Sequence, residues 1–288
     1  MSNFVRQHSK HFNFKKFVGN ALREDVGNGD HTSLATIPKS NKGKMKLLVK
    51  EDGIIAGVEA AKEIFKCIDK KIKIKLILKD GQAVKKNEVV FTIEGNSQKL
   101  LKAERLVLNV MQRMSGIATK TNYLQGLCKG TKAKVIDTRK TTPGFRFFEK
   151  WAVLIGGGAN HRYGLFDMIL IKDNHIDFAG GIVEAIEAAN LYLKKQKKKL
   201  AIEIETRNIS DIEKVLKRGG VNRIMLDNFK IEQTLQAVKL VNGSFETESS
   251  GGINETNIVG YANCGVDFIS VGALTHHVKS LDLSLKVV

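Results

Sequence analysis

Six short apolar runs, each ending in polar residues, constrain this chain more than any other feature. They read AKVIDTRK, FDMILIKDN, LAIEIETRN, RIMLDN, SFETESSGG and VDFISVGA, and begin near residues 133, 166, 200, 223, 244 and 266. Successive starts lie 33, 34, 23, 21 and 22 residues apart, which leaves room for a helix between each pair. GIVEAIEAANLYLKK, ISDIEKVLKRG and IEQTLQAVKLV supply helical patterns in those gaps. Unbroken apolar strands alternating with helices imply a parallel sheet covered on its faces. No Gly-x-Gly-x-x-Gly fingerprint is present, so the repeated units favour a closed α/β barrel over a dinucleotide-binding sheet.

The preceding part has another rhythm. FKKFVGNALRED reads as a helix and VGNGDHTS as a polar turn. KMKLLVKEDGIIAGV, IKIKLILK and EVVFTIEG alternate as half-buried strands, with AAKEIFKCI as a helix after the first. From Lys99 a long amphipathic helix follows, in which Leu101, Leu108, Val110 and Met111 share a buried side. A domain boundary is expected near it. The length, 288 residues, fits one large α/β domain with a smaller companion.

Composition narrows the function. The 42% hydrophobic content supports a core, and three dispersed cysteines without a CxxC argue against a disulfide framework or a cysteine–zinc site. A reducing cytoplasm is the expected compartment. The opening MSNFVRQHSKHF lacks the apolar segment of a signal peptide, and no run approaches the ~18 apolar residues of a membrane span. Lys plus Arg number 47 against 30 Asp plus Glu, a net charge of +17. Residues 1–114 hold 23 basic and 12 acidic residues, or +11. The excess is scattered Lys, as on a solvated face. A nucleic-acid-binding protein would interleave basic residues with exposed aromatics or carry a known module, and neither is evident.

The sharpest signal is what the strands carry at their carboxyl ends, where barrel sites lie. Those ends offer Arg139 and Lys140, Lys172 with Asp173, Glu205, Asp227, Ser250 with Gly251, and Gly272. Basic residues gather at Arg139, Lys140, Arg146, His161, Arg162 and Lys172, which suits a small, strongly anionic ligand. Arg146 and Lys150 read equally well as surface ion pairs. GGGANHR (156–162), ESSGG (248–252) and VGA (271–273) are candidate anion cradles. Glu205 and Asp227 end adjacent strands and could face one Mg²⁺, partly through water. HExxH, GxSxG and Walker patterns are absent.

The segment DTRKTTPGFRFFEKWAVLIGGGANHRYGLFDMILIKDNHI (137–176) closely resembles the signature region of the quinolinate phosphoribosyltransferase family. EDVGNGDHTS, AERLVLNVMQRMSGIAT, EIET, MLDN, ESSGGI and SVGALTH match in order and spacing. Trp151, where Tyr is more usual, and His277, where Ser often sits, depart from the pattern.

The resemblance implies an N-terminal α/β sandwich domain, residues 1–114 joined by 279–288. An incomplete, about six-stranded α/β barrel of the type II phosphoribosyltransferase kind would then span 115–278. It implies transfer of a phosphoribosyl group from 5-phosphoribosyl-1-pyrophosphate to quinolinate, with loss of CO2, in de novo NAD synthesis. At the matching positions, Thr138, Arg139, Lys140, His161, Arg162 and Lys172 would bind quinolinate, with Arg105 contributed by a neighbouring subunit. Lys140, Glu205, Asp227, Ser250, Gly251, Gly252, Val271, Gly272 and Ala273 would hold the phosphoribosyl donor. Lys140, Lys172, Glu205 and Asp227 would be catalytic, and Glu205 and Asp227 would bind Mg²⁺. A homodimer with shared sites, or a hexamer of such dimers, is implied. The competing readings are a relative with another substrate, as among molybdenum-transport-associated homologues, and a basic nucleic-acid-binding protein. The intact basic set and Glu205/Asp227 argue against the first.

Overall fold

A computed structural model describes Phe4 and residues 10–288. The opening segment read for a signal peptide lies largely outside the described residues. Among those described, no helix is long and apolar enough to cross a membrane. The chain forms two compact units.

The first unit takes residues up to Asn122, together with Thr142–Gly157 and Val278–Val288. Helices α1 (Phe14–Val26) and α2 (His31–Thr36) precede β1 (Lys42–Val49), β2 (Gly53–Ile54) and α3 (Val58–Ile68). Strands β3 (Lys73–Leu76), β4 (Ala83–Val84) and β5 (Val89–Asn96) follow. The chain's last strand, β12 (Leu283–Val287), lies beside β1 in an antiparallel sheet of order β12-β1-β5-β3. Alternation works as read from the sequence: Met45, Leu47 and Val49 face inward at 4%, 0% and 0% exposure. Lys73 and Lys75 point to solvent from the edge strand β3, where charge discourages further strand pairing. Phe65 of α3 meets Phe91 of β5 edge-on, with centroids 6.2 Å apart.

Helix α4 (Ser97–Leu127) has 31 residues and begins in this unit. Leu108, Val110 and Met111 are buried on it, whereas Leu101 is only half-buried and Leu100 takes the inner position. Helix α5 (Arg146–Ile155), from the middle of the signature segment, also belongs to the first unit. Its Phe147 stacks on Phe12 at 4.2 Å and its Phe148 meets Phe17 at 4.8 Å. Trp151 is buried against Phe147 in the same aromatic cluster. Lys150, which the sequence reads as a possible surface ion pair, is instead fully buried, because α5 is covered on every side: each residue from Phe147 to Val153 is buried.

The second unit comprises Tyr123–Thr141 and Gly158–His277. It contains six strands: β6 (Lys134–Ile136), β7 (Ile169–Ile171), β8 (Ile202–Thr206), β9 (Arg223–Asp227), β10 (Glu246–Ser250) and β11 (Phe268–Ser270). Helices α6 (Asp173–Ala179), α7 (Ile182–Gln196), α8 (Ile209–Arg218), α9 (Ile231–Val241), α10 (Ile258–Asn263) and α11 (Ala273–His276) alternate with them. All five pairings are parallel, in the order β6-β11-β10-β9-β8-β7. The ring is therefore open between β6 and β7, as the family resemblance implies, rather than closed as the repeats alone suggest. At β6 a single parallel bridge, Ile136 to Ala159, occupies the open edge in place of a seventh strand.

Candidate active site

Parallel strands bring all their carboxyl ends to one side, so the polar residues that follow them meet at one mouth. Thr138, Arg139 and Lys140 follow β6, and Lys172 follows β7. Glu205 stands one residue from the end of β8, while Asp227 and Ser250 end β9 and β10. Val271, Gly272 and Ala273 follow β11. His161 and Arg162 come just after the bridge residue Ala159. Every strand-end residue named from the sequence is thus in the second unit. Arg105 lies on α4 in the first unit and is exposed there, and Arg146 is half-buried on α5.

The best-defined contact is ionic. Lys172 Nζ donates to Glu205 Oε1 at 2.7 Å, and the Asp173 amide donates to Glu205 Oε2 at 3.1 Å. Glu205 is nearly buried at 6% exposure, so this pairing offsets much of its desolvation. Asp227 accepts from Asn228 Nδ2 at 2.8 Å and from the Ser250 side chain. Burial, and then the Glu205 charge, push its carboxyl above the usual range. Arg162 is lowered by burial and by the neighbouring Arg139 charge, while Glu203 and Glu205 act in the opposite direction. Its Nη1 donates to Met168 O at 3.2 Å.

Two turns serve as anion cradles to different degrees. Gly251 has φ +96° and Gly252 φ +62°, conformations that suit glycine. A Cβ at Gly251 would lie 2.2 Å from Asn228 Oδ1. At the second turn the Val271 amide donates to Ile136 O at 3.0 Å, so it offers no hydrogen to a ligand. Among the described residues, the amides of Gly251, Gly252, Gly272 and Ala273 donate to no protein acceptor. Lys140 is exposed, its carbonyl accepts from Thr275 Oγ1 at 2.8 Å, and its side chain passes close to Gly272. The GGG of residues 156–158 is no cradle of this kind at its first position. A Cβ on Gly156 would sit 2.5 Å from Ala118 O, so that glycine lets α5 end against α4.

Beneath the mouth lies a buried polar cluster that the sequence reading missed. Residues two apart on a strand share a face, so Glu203 lines up under Glu205, Glu248 under Ser250, and Arg223 on the Asp227 side of β9. Glu203 and Glu248 are wholly buried. His161 Nε2 lies 2.9 Å from Glu203 Oε2 and 3.7 Å from Glu248 Oε2. Arg223 Nη1 donates to Glu248 Oε2 at 3.0 Å, and its guanidinium stands 3.8 Å over the Phe268 ring. Burial and the Glu203 charge push the Glu248 carboxyl up to about 8. Burial raises Glu203 as well. Asp137, also buried, accepts from Asn160 Nδ2 at 2.5 Å and from the His161 amide at 3.0 Å, which ties the His161 turn to the end of β6. The detectable signal was period-two charge inside apolar strands, as in EIE.

An open parallel barrel whose mouth carries clustered cations, two carboxylates and glycine turns defines an α/β enzyme acting on small anions. Residues 30–115 match the family described as quinolinate phosphoribosyl transferase, N-terminal domain, and residues 117–286 match its C-terminal domain. A chloroplastic nicotinate-nucleotide pyrophosphorylase (carboxylating) of Arabidopsis thaliana is 45% identical over 291 residues, covering 96% of this chain and 83% of the relative. A mitochondrial quinolinate phosphoribosyltransferase (decarboxylating) of Nicotiana glauca is 43% identical, covering 96% and 82%. The solved nicotinate-nucleotide pyrophosphorylase of Francisella tularensis superposes with a TM-score of 0.87 at 40% identity, covering 96% of each chain. The chain belongs to the quinolinate phosphoribosyltransferase family.

Proposed function

We propose that this protein joins quinolinate to 5-phosphoribosyl-1-pyrophosphate and releases nicotinate mononucleotide, pyrophosphate and CO2, a step of de novo NAD synthesis. The observation that carries the reading is the convergence, in a chain that matches both domains of the family, of Arg139, Lys140, Arg162 and Lys172 with Glu205 and Asp227 at one barrel mouth. Quinolinate bears two carboxylates on a pyridine ring, and planar guanidinium groups match carboxylates bidentately. The strongest grip falls on the 3-carboxylate, because contacts that held the departing 2-carboxylate would favour the ground state over the transition state.

Attack by the ring nitrogen on C1 breaks the bond to pyrophosphate, which leaves with the bonding electrons. Positive charge grows on the ribose and negative charge on the leaving group. Lys140 and Lys172 would balance the latter, and a nearby carboxylate the former. The resulting pyridinium accepts the electron pair as CO2 leaves the carbon beside the nitrogen, and that carbon then takes a proton. The amides of Gly251, Gly252, Gly272 and Ala273 would take the 5-phosphate, with Ser250 at the turn's start.

Two carboxylates near the carboxyl ends of adjacent strands, Glu205 on β8 and Asp227 on β9, form a donor set that fits a divalent cation. Glu205 and Asp227 would hold Mg²⁺, partly through water, and the ion would supply charge for the departing pyrophosphate. The proposed assembly is a homodimer in which Arg105 reaches the neighbour's site, and the proposed compartment is the cytoplasm. Mixing Arg105→Ala with Lys172→Ala subunits should restore activity, and failure to complement would remove the shared site. The direct test supplies quinolinate, the pyrophosphate donor and Mg²⁺, and measures nicotinate mononucleotide and CO2. No turnover and no quinolinate binding would refute the assignment.

A further inference from the structure

A barrel interior is ordinarily filled with layers of branched apolar side chains. Here Glu203, Glu248 and Arg223 occupy that space, although burying carboxylates is costly unless they are paired. Neither the mouth contacts nor the proposed reaction uses them. Their arrangement is specific. Arg223 is anchored outward by Glu246, which accepts from its Nε at 3.2 Å and its Nη2 at 3.0 Å. It is anchored inward by Glu248 and is stacked on Phe268. Glu203 stands between this assembly and His161.

Both ring nitrogens of His161 are directed into the protein. Nε2 faces Glu203, and Nδ1 accepts the Arg162 amide at 2.7 Å. The His161 side chain is 6% exposed. It therefore acts on the mouth through the neighbour it fixes rather than by offering a nitrogen outward. That neighbour, Arg162, has its guanidinium further steadied by Met168 O.

We propose that Glu203 and Glu248 are positioning residues: with Arg223 bonded to Glu248, they form a buried carboxyl seat that holds the His161 ring and, through it, the backbone at Arg162 in the posture that grips the pyridine dicarboxylate. His161 is the link in this chain. Glu203, at 2.9 Å, carries more of the effect than Glu248 at 3.7 Å. The kinetic part of the inference rests on the quinolinate reading, whereas the placement of the ring does not.

The test uses the full chain. Glu203→Met keeps the volume and removes the carboxyl that lies 2.9 Å from His161 Nε2, so the interior stays filled. It should raise KM for quinolinate at least tenfold, with kcat and KM for the phosphoribosyl donor within threefold of wild type. Glu203→Gln retains an acceptor oxygen and should bring the quinolinate KM back to within threefold. Glu248→Met should give a smaller rise, about two- to fivefold, again for quinolinate only. A filler role would lower melting temperature or the active fraction while KM stayed constant, and that result overturns the proposal. So does an equal rise in KM for both substrates.

A second readout needs no substrate. In histidine-labelled wild-type protein, 15N shifts should place the His161 proton on Nε2 with Nδ1 accepting a hydrogen bond, and Glu203→Met should move those signals. Unmoved signals overturn the proposal. If wild type fails to turn over quinolinate while the shifts behave as stated, the functional reading fails and the seat stands. A tightly bound metal at one per chain that is lost in Glu203→Met would overturn the seat in favour of a metal site, because His161, Glu203 and Glu248 have ligating atoms within 4.8 Å of one another.

Discussion

Replacing Gly251 by alanine tests the phosphate turn with a cost that can be worked from geometry. Its φ of +96° costs an L-residue about 1–2 kcal/mol. The new Cβ would meet Asn228 Oδ1 at 2.2 Å, Cγ at 2.7 Å and the amide nitrogen at 3.0 Å. The amide cannot yield easily, since it donates to Ser250 O at 2.8 Å. The Asn228 side chain can swing away, but only by giving up its 2.8 Å bond to Asp227, a further loss of about 1 kcal/mol. The sum, about 2–3 kcal/mol, corresponds to roughly 30- to 150-fold in an equilibrium. In the unliganded protein the turn can relax, and binding must then reimpose its shape. The effect should therefore appear in KM for the phosphoribosyl donor and leave KM for quinolinate within about threefold. Gly252 has φ +62° and nothing within 4 Å of its would-be Cβ, so Gly252→Ala carries only the backbone cost of about 1–2 kcal/mol and should stay within about 5- to 30-fold, below Gly251→Ala. Steady-state kinetics with each substrate varied, beside thermal melts of both variants, provide the assay. Equal effects at the two glycines, or a Gly251→Ala enzyme whose donor KM stays within twofold of wild type, would refute the reasoning.

Four further outcomes are expected. Lys172→Met removes the cation 2.7 Å from Glu205 and should lower kcat/KM at least ~100-fold and also lower the melting temperature, because nearly buried Glu205 then keeps only the Asp173 amide. Arg223→Met leaves Glu246 and Glu248 without their shared partner and should destabilise the fold by about 3–5 kcal/mol in denaturant titrations. Glu248, at about 8 in the folded state against 4.5 as its reference value, binds its proton more tightly when folded. Its stabilising contribution is complete below pH 4.5 and is lost as pH rises through 8, so wild-type stability should fall by up to ~1.4 kcal/mol per pH unit in that window, and Glu248→Gln should flatten the slope. Gly156→Ala drives a methyl group to within 2.5 Å of Ala118 O and should cost about 1–3 kcal/mol in a thermal or urea melt.

The legible parts of this molecule are those where local chemistry dictates long-range order. All six barrel strands begin within three residues of the apolar runs, because each run is short, uninterrupted and stopped by a polar loop. Their polar ends were legible for the same reason, since parallel strands leave their carboxyl ends no other place to converge. The gap between β6 and β7 was not legible from the repeats, because no residue in either strand announces the absence of a partner. The GGG pattern reads as a ligand cradle, yet Gly156 is a packing glycine, because sequence cannot show that Ala118 backs onto it. The cluster of basic residues and the family resemblance place His161 in the anion-binding set. Its ring faces inward because Glu203, forty-two residues later, arrives beneath it on the neighbour of β7.

That inward acidity explains how so basic a mouth can persist without ligand. Burial lowers Arg162, and repulsion from Arg139 adds to the effect. Glu203 and Glu205 act against this, one from the buried layer and one from the rim beside Lys172. A total of +17 says nothing about such an arrangement, because most of the excess is Lys dispersed over exposed positions such as Lys73 and Lys75. A site made only of cations would splay apart when empty and would accept any anion that drew it together. A site held by acids below can keep its cations at fixed spacing. The dianion then meets a preformed grip, and its affinity reflects the fit of two carboxylates rather than the relief of repulsion.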